Sequence, residues 1–367
     1  MEQGVCVGEG GARLFVSKLS FENPHRSTVF FNPRMSFSRS AGSLAIAVLK
    51  PKSVLDGLCS TGARGVRYAK ENPCVKKLSL VDANPLAFPF IRKNLSLNGL
   101  SSKAKAFCQD FNDFCFANEN AFDFVEIDPF GTPAPFVESA LLALKKPGVL
   151  SFTSTDLANV VKKNAPTLRD YDAKPLYCDF SHENALRILL GFVARKAGEA
   201  RLRVTPLLCF YEGHHVKIVV RVERRKLNGR RLGFISYCDK CLRRFEGKRA
   251  KCVCSDRLLY AGPLWLGAYC DKKFLHALAA LNEKRDYAEK KRIAKTLFLL
   301  SKEPAFPPWF YDVHSFADHY ALAARKKMES ILEELRAAGF KAERTHFTPT
   351  GVKTNAGMSA VKRILSR

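Results

Sequence analysis

Short apolar segments alternate with amphipathic segments over the first part of this chain, and this alternation strongly restricts the fold. The apolar segments are 53–58, 77–81, 104–108 and 122–127, and helical patterns cover 63–71, 86–98 and 135–145. Alternation of buried strands with helices is typical of a parallel α/β sheet. The pattern predicts a doubly wound, Rossmann-like sheet, in which ligands bind at the carboxyl ends of the strands.

Three more apolar segments, 148–153, 202–208 and 216–222, extend the predicted sheet. The last two flank Gly213 and are predicted to be antiparallel. From about residue 224 the chain becomes more basic and contains a cysteine cluster. We therefore place a domain boundary near Asn228. Residues 1–228 form the predicted catalytic domain, and 229–367 form a smaller basic α+β domain with helices near 272–300 and 319–338.

Polar or flexible residues follow the predicted strands at the edge where a ligand would bind. They are Gly62, Asp82, Asp110 and Asp128. Small residues around Gly62 allow a ligand to approach the backbone closely, and a carboxylate at Asp82 can accept two ribose hydroxyls. These features fit either a dinucleotide or S-adenosylmethionine. The turn lacks the Gly-Lys-Ser/Thr ending of a phosphate-binding loop, which argues against that motif.

Asp128, Pro129, Phe130 and Gly131 follow the fourth predicted strand. An acid, a proline and an aromatic residue at this position suit methylation of an exocyclic amine on a planar base. The Asp128 carboxylate and the Pro129 carbonyl can each accept one N–H group of the amine, which orients the nitrogen for in-line attack. Phe130 can stack on the base. An ordinary Asp-Pro turn beside a core phenylalanine is the simpler alternative for the motif alone.

The chain resembles the tRNA guanine-N2 dimethyltransferases over nearly its whole length. The motifs that carry the resemblance are FFNPRM at 30–35, STGARG at 60–65, IDPFGTP at 127–133, TSTD at 153–156, GPLWLG at 262–267 and RTHF at 344–347. Residues 157–165 depart from the family pattern and include Lys162 and Lys163. The resemblance implies S-adenosylmethionine as cofactor and the N2 amine of a guanosine, most often guanosine 26, as target.

The resemblance also implies a role for particular residues. Cofactor contacts fall on Arg34, Gly62, Arg64, Asp82, Asp110 and Phe111. Asp128 inherits the catalytic role, with Pro129 beside it, and Phe130 inherits the role of stacking on the base. The second wall of the base pocket is either Phe30 or Phe31.

Four cysteines of the second region have spacings typical of a metal site. Cys238 and Cys241 are separated by two residues, as in a zinc knuckle, and Cys252 and Cys254 by one. We expect a structural zinc ion held by these four thiolates, with Cys270 as the alternative to Cys254. The other cysteines are expected to be reduced thiols, because the start of the chain lacks a signal-peptide pattern.

Charge is distributed unevenly along the chain. The formal net charge is +25, and residues 181–367 carry 38 basic and 18 acidic residues. Such an excess favours a polyanionic partner, and the resemblance identifies it as tRNA. The expected phosphate contacts are Arg230, Arg231, Arg243, Arg244, Lys248 and Arg249. The resemblance adds Phe347 and Lys353.

No apolar segment is long enough to suggest a membrane span, so we expect a cytoplasmic protein. We also expect the protein to be a monomer and to have no obligate protein partner. Two other functions are also compatible with the sequence. One is a methyltransferase acting on another guanosine of tRNA or rRNA, or on adenine in DNA. The other is a catalytically inactive RNA-binding protein.

Overall fold

The computed structural model describes residues 3–161, 165–224, 231–249, 251–254, 257–322 and 326–366. The strands of this part are β1 (Gly4–Glu9), β2 (Ala12–Ser17), β3 (Ser53–Gly57), β4 (Lys77–Asp82), β5 (Ala104–Cys108), β6 (Phe122–Ile127), β7 (Leu144–Ser154), β8 (Arg203–Glu212), β9 (His215–Glu223), β10 (Leu232–Tyr237), β11 (Arg244–Glu246), β12 (Leu259–Trp265), β13 (Tyr311–Asp312), β14 (Ala342–Arg344) and β15 (Gly351–Thr354).

The helices of the described residues lie on both sides of the main sheet and in the C-terminal region. They are α1 (Lys18–Glu22), α2 (Ser36–Leu49), α3 (Ala63–Glu71), α4 (Phe88–Leu97), α5 (Phe111–Phe116), α6 (Val137–Ala143), α7 (Leu157–Val161), α8 (Ala165–Tyr171), α9 (Ser181–Glu199), α10 (Lys272–Asn282), α11 (Lys290–Lys302), α12 (Val313–His319), α13 (Met328–Ala337) and α14 (Met358–Leu365). None of these helices is long and apolar enough to cross a lipid bilayer.

The main sheet has seven strands in the order β5-β4-β3-β6-β7-β9-β8. The first five run parallel, and β9 is antiparallel to both β7 and β8. Val54 and Leu55 in β3 are fully buried, as expected for a central strand covered on both faces. Gly213, between β8 and β9, has a φ of +58° that favours glycine. The predicted Rossmann-like sheet is confirmed, including its antiparallel edge.

An N-terminal hairpin, β1 and β2, covers part of this domain and was not predicted. Asn94 lies on α4, and Asn98 follows about one turn later as the C-terminal cap of that helix. Their side-chain oxygens accept the backbone N–H groups of Phe15 and Arg13, and their amides donate to the carbonyls of the same two residues. These bonds satisfy the free edge of β2, which would otherwise present unpaired backbone groups.

The C-terminal region contains two three-stranded sheets, ordered β11-β10-β12 and β13-β15-β14. The segment between its helices α10 and α11 contacts the end of α3 in the N-terminal region. Arg285, between them, donates to the Glu71 carbonyl at 3.0 Å and to the Asn72 side chain at 2.9 Å. The Tyr287 hydroxyl donates to the Glu71 carboxylate. The proposed boundary at 228/229 lies outside the described residues, so the division into 1–228 and 229–367 stays a prediction.

The predicted long helix over 319–338 is wrong in its first half. Helix α12 already ends at His319, and Tyr320 is its C-terminal cap. Ala321 has a φ of +50°, which is incompatible with a continuing right-handed helix. The second half is confirmed as α13, which ends just before Gly339.

Candidate active site and cysteine cluster

The turn after β3 lies at the carboxyl edge of the sheet, in a backbone conformation that few residues adopt. Leu58, Ser60 and Gly62 all have positive φ values, +57°, +47° and +71°. The Ser60 N–H donates to Asp82 Oδ2 at 2.6 Å. This bond fixes the turn against the end of β4, and helix α3 starts immediately after it. The two features that the sequence suggested as a cofactor site are therefore in direct contact.

Asp82 itself is half-buried, and both of its oxygens accept a backbone N–H. Oδ2 accepts from Ser60, and Oδ1 accepts from Asn84 at 2.9 Å. A carboxylate oxygen has a second lone pair, so each oxygen can accept one further hydrogen bond. These two acceptor oxygens therefore fit the ribose hydroxyls of S-adenosylmethionine.

The neighbouring strand end carries two more predicted cofactor residues, Asp110 and Phe111. Asp110 is exposed, and its Oδ1 caps α5 by accepting the N–H groups of Asn112 and Asp113. Phe111 is buried and packs so tightly on Gly57 that a Cβ there would lie 2.2 Å from its ring. Phe111 thus packs beneath the carboxyl edge of the sheet. Arg34, another predicted cofactor residue, is exposed.

Asp128 forms an ion pair with Arg64. Arg64 Nη2 lies 2.5 Å from Asp128 Oδ2, with the Arg64 side chain 4% exposed and that of Asp128 29% exposed. Burial by itself would raise the pKa of Asp128. The Arg64 guanidinium and then the Lys217 ammonium outweigh burial and hold the pKa below its usual value. Asp128 is therefore an anionic hydrogen-bond acceptor at the end of β6.

More charged groups lie behind Asp128 on the same face of the sheet, and sequence reasoning missed them. The Lys217 ammonium pairs with Glu126 and lies 3.4 Å from the Thr153 hydroxyl, and Tyr68 donates to Glu126 at 2.9 Å. The nearby Thr153 hydroxyl also lowers the pKa of Asp128. The available signal was a charged residue between two apolar neighbours: Glu126 lies between Val125 and Ile127 in β6, and Lys217 between Val216 and Ile218 in β9.

Two phenylalanine rings meet in front of this site. The centroids of Phe30 and Phe130 are 4.6 Å apart, with the ring planes 81° apart. The Phe130 side chain is among the most exposed large apolar side chains in the described part of the chain, at 75%. Phe31 is 3% exposed and lies under the Arg39 guanidinium instead. Of the two candidates for the second wall, the structure brings Phe30 to the site.

The segment after Phe130 is attached to the end of β7. Gly131 and Thr155 exchange two hydrogen bonds, of 2.9 and 3.1 Å, and the Thr132 and Tyr171 hydroxyls lie 2.6 Å apart. Pro129 is buried. Lys162 and Lys163, in the segment that departs from the family pattern, lie outside the described residues.

The four cysteines predicted as metal ligands converge on one point. The Sγ atoms of Cys238, Cys241, Cys252 and Cys254 all lie within 4.8 Å of one another. The Cys238–Cys254 distance is 3.5 Å and the Cys241–Cys252 distance is 3.6 Å. Tetrahedral zinc with bonds of about 2.3 Å separates its sulfur ligands by about 3.8 Å, so the cluster is compatible with a structural zinc ion. Cys270 donates to the Leu300 carbonyl and lies outside the cluster.

The residues predicted to contact phosphate divide into two groups. Arg231, Lys248 and Arg249 are exposed and Arg243 is half-buried, whereas Arg230 lies outside the described residues. Arg244 is buried and pairs with Asp179 at 2.8 Å, so its assignment as a phosphate contact is wrong. Phe347 and Lys353 are buried as well, and Lys353 pairs with Glu183, so neither can reach RNA in this arrangement.

The strand order and the site at the strand ends define a Rossmann-like methyltransferase that uses S-adenosylmethionine. More particularly, the chain belongs to the family described as "TRM: N2,N2-dimethylguanosine tRNA methyltransferase", whose model matches residues 10–366.

Individual relatives agree with this assignment. The tRNA (guanine(26)-N(2))-dimethyltransferase of Methanothermobacter thermautotrophicus is 32% identical, with 99% of this chain and 98% of the relative aligned. The enzyme of the same name from Pyrococcus furiosus is 36% identical over 95% of each chain. The solved structure of Trm1 from Pyrococcus horikoshii with S-adenosyl-L-methionine superposes with a TM-score of 0.88 at 30% identity, covering 99% of this chain and 100% of that one.

Proposed function

We propose that this protein methylates the exocyclic N2 amine of guanosine 26 in tRNA, giving N2,N2-dimethylguanosine, with S-adenosylmethionine as methyl donor. Family membership over residues 10–366 supports the reaction class and the target. The observation that carries the chemistry is the Asp128 carboxylate, held ionised at the end of β6 beside an exposed aromatic ring.

Asp128 is proposed to orient and deprotonate the amine. The guanine N2 lone pair is delocalised into the ring, so the nitrogen is a weak nucleophile. Acceptance of its two N–H groups by the Asp128 carboxylate and the Pro129 carbonyl frees the lone pair for in-line attack. As the N–C bond forms, the methyl–sulfur bond breaks and its electron pair stays on sulfur. The methylated nitrogen then loses a proton, and an ionised Asp128 can accept it.

Phe130 is proposed to open the base pocket. With ring centroids 4.6 Å apart, Phe30 and Phe130 leave no space for a base between them. The exposed Phe130 ring is the freer of the two and can rotate to stack on the extruded guanine. Extrusion costs a few kcal/mol, and stacking on one aromatic ring recovers about 1–3 kcal/mol.

The cofactor site is proposed to lie between β3 and β5. Asp82 would accept hydrogen bonds from the ribose hydroxyls, and Gly62 would allow the cofactor to approach the turn closely. Asp110 would lie beside the base of the cofactor, above the buried Phe111 ring. Arg34 is the exposed cation suited to the methionine carboxylate of the cofactor. Together with Arg64 it completes the proposed set of cofactor-binding residues. Because Arg64 pairs with Asp128, we infer that its first role is to keep that carboxylate ionised and oriented.

Zinc and tRNA complete the proposal. The cluster of four cysteines would hold a structural zinc ion, with all four coordination positions occupied by thiolates and none left for catalysis. Residues 229–367 would supply most of the contacts to tRNA phosphates, through Arg231, Arg243, Lys248 and Arg249. A cytoplasmic, monomeric enzyme fits these assignments.

The proposal is tested by transfer of a labelled methyl group from S-adenosylmethionine to unmodified tRNA. A transcript that is identical except for adenosine at position 26 is the matched control. We expect label in the first transcript and background in the second. Equal labelling of both transcripts would point to a different target nucleotide, and absence of label despite tRNA binding would indicate the non-catalytic RNA-binding function.

A further inference from the structure

A groove of about 670 Å³ lies in the C-terminal region, beside the cysteine cluster. We call it the Trp309 groove. Cationic side chains of Arg243, Arg249 and Lys251 line it, together with residues 355–360 at the start of α14. No aspartate or glutamate is found among its described lining residues. A groove of this size, whose charged lining side chains are all cationic, is complementary to a nucleotide and its phosphates.

The groove also offers flat surfaces. Trp309 and Phe245 line it, and both rings are half-buried. The Arg249 guanidinium lies 4.6 Å from the Phe245 ring centroid. Aromatic rings and guanidinium planes are the surfaces on which unpaired RNA bases stack. A paired base in a helix keeps its faces covered by its neighbours, so these surfaces favour an unpaired nucleotide over a double helix.

The buried side of the groove is electrically neutral. Arg244 lines it, but its charge is compensated by Asp179, and its guanidinium lies 4.1 Å from the Tyr311 ring centroid. The cations available to a ligand are therefore Arg243, Arg249 and Lys251.

The groove lies at the same end of the molecule as the candidate active site. Asp179, which pairs with Arg244, lies two residues before the start of α9. The second residue of that helix, His182, stacks on Tyr211 with ring centroids 4.3 Å apart. Tyr211 pairs in register with Val216, and Val216 with Ser154 at the end of β7. A single RNA molecule can therefore contact both the strand ends and the groove.

We propose that the Trp309 groove binds one unpaired nucleotide of the tRNA substrate, distinct from the target guanosine. Its base stacks on Trp309 and on the Phe245–Arg249 pair, and its phosphates are held by Arg243 and Lys251. The proposal rests on tRNA being the substrate and adds a second point at which the tRNA is held.

Three variants of the full chain test the proposal by tRNA binding. Trp309→Ala should raise the dissociation constant ~5- to 100-fold, because one stacked base is lost. Trp309→Phe keeps an aromatic surface and should bind nearly as wild type. Arg243→Ala with Lys251→Ala should lower the slope of log affinity against log salt by ~0.7–0.9 per contact. Lys52→Ala with Lys76→Ala removes two exposed cations before β3 and β4, at the opposite edge of the sheet, and should change neither quantity.

Tryptophan fluorescence provides an independent readout, since the chain has two tryptophans. Addition of tRNA should quench wild-type emission through base stacking, and Trp309→Phe should lose most of this quenching while retaining affinity. Full quenching in Trp309→Phe, or wild-type affinity in Trp309→Ala, would overturn the groove assignment.

Methylation measured in parallel separates this proposal from the proposed function. If the wild type methylates tRNA while the Trp309→Ala variant binds normally, the groove assignment fails and the function stands. If binding depends on Trp309 but no methyl group is transferred, the groove stands and the function fails.

Discussion

Arg64 and Asp128 form a 2.5 Å ion pair at the carboxyl edge of the sheet, in which the cation is almost fully buried and the anion reaches the surface. The pair connects the start of helix α3 to the end of strand β6. It therefore fixes the position of the Asp128 carboxylate relative to the cofactor turn. Removal of the carboxylate would leave a buried guanidinium without this partner, so a test of Asp128 should preserve its shape.

Asp128→Asn should reduce kcat at least ~100-fold, in the range expected when a positioned proton acceptor is lost. The amide keeps a neighbour for Arg64 and cannot take up the amine proton. Binding of S-adenosylmethionine and of tRNA, measured separately, should remain close to wild type. Near-wild-type turnover with both substrates saturating would remove Asp128 from the mechanism.

Asp82→Ala should weaken S-adenosylmethionine binding at least ~10-fold, because charge-assisted hydrogen bonds contribute ~1.5–3 kcal/mol each. Calorimetry with the isolated cofactor measures the effect, and tRNA affinity should not change. Asp113→Ala removes an exposed acid from α5 near the same edge and serves as the matched control. Cofactor affinity unchanged by Asp82→Ala would contradict the proposed position of the cofactor.

The cysteine cluster predicts one zinc ion per chain in protein purified without chelator. Cys238→Ser with Cys241→Ser should lose the metal and lower tRNA affinity, because metal binding of this kind is coupled to local folding. Cys270→Ser changes a thiol outside the cluster and should retain zinc. Elemental analysis that finds no zinc in the wild type would show that the four thiols form no metal site.

Arg244 is expected to matter for stability and not for the salt dependence of RNA binding. Loss of one partner of a buried ion pair typically costs about 3–5 kcal/mol. Arg244→Met should therefore lower the free energy of unfolding in urea by that order, whereas Arg231→Met, at an exposed position, should leave it nearly unchanged. Equal stability of the two variants would mean that the Arg244–Asp179 pair contributes little.

Asp56 predicts a pH dependence of stability. Burial raises the pKa of this carboxyl from 3.8 to about 7. Between these values the folded state retains a proton on Asp56 that the unfolded state has lost. The contribution of Asp56 to the free energy of unfolding therefore decreases as the pH rises towards 7. Asp56→Asn stays neutral, and its stability relative to wild type should increase between pH 4 and 7 and then level off. A difference independent of pH in urea unfolding would contradict this.

The sequence allowed prediction of the main sheet because its strands are continuous apolar runs separated by helical patterns. The cysteine convergence and the strand-end aspartates followed from spacing alone. Burial of individual charges was not predictable in the same way. Arg244 and Arg249 are five residues apart in one basic run, yet one is enclosed by Asp179 and Tyr311 and the other is exposed. The partners that decide this lie more than sixty residues away along the chain.

The proposed reaction is tested most directly by mapping the methylated nucleotide, with mass spectrometry of tRNA after reaction with the purified protein and S-adenosylmethionine. We expect N2,N2-dimethylguanosine at position 26 with the wild type and, over the same reaction time, only traces of it with Asp128→Asn. Methylation of a different nucleotide, or methylation at position 26 that is unaffected by Asp128→Asn, would contradict the proposed reaction.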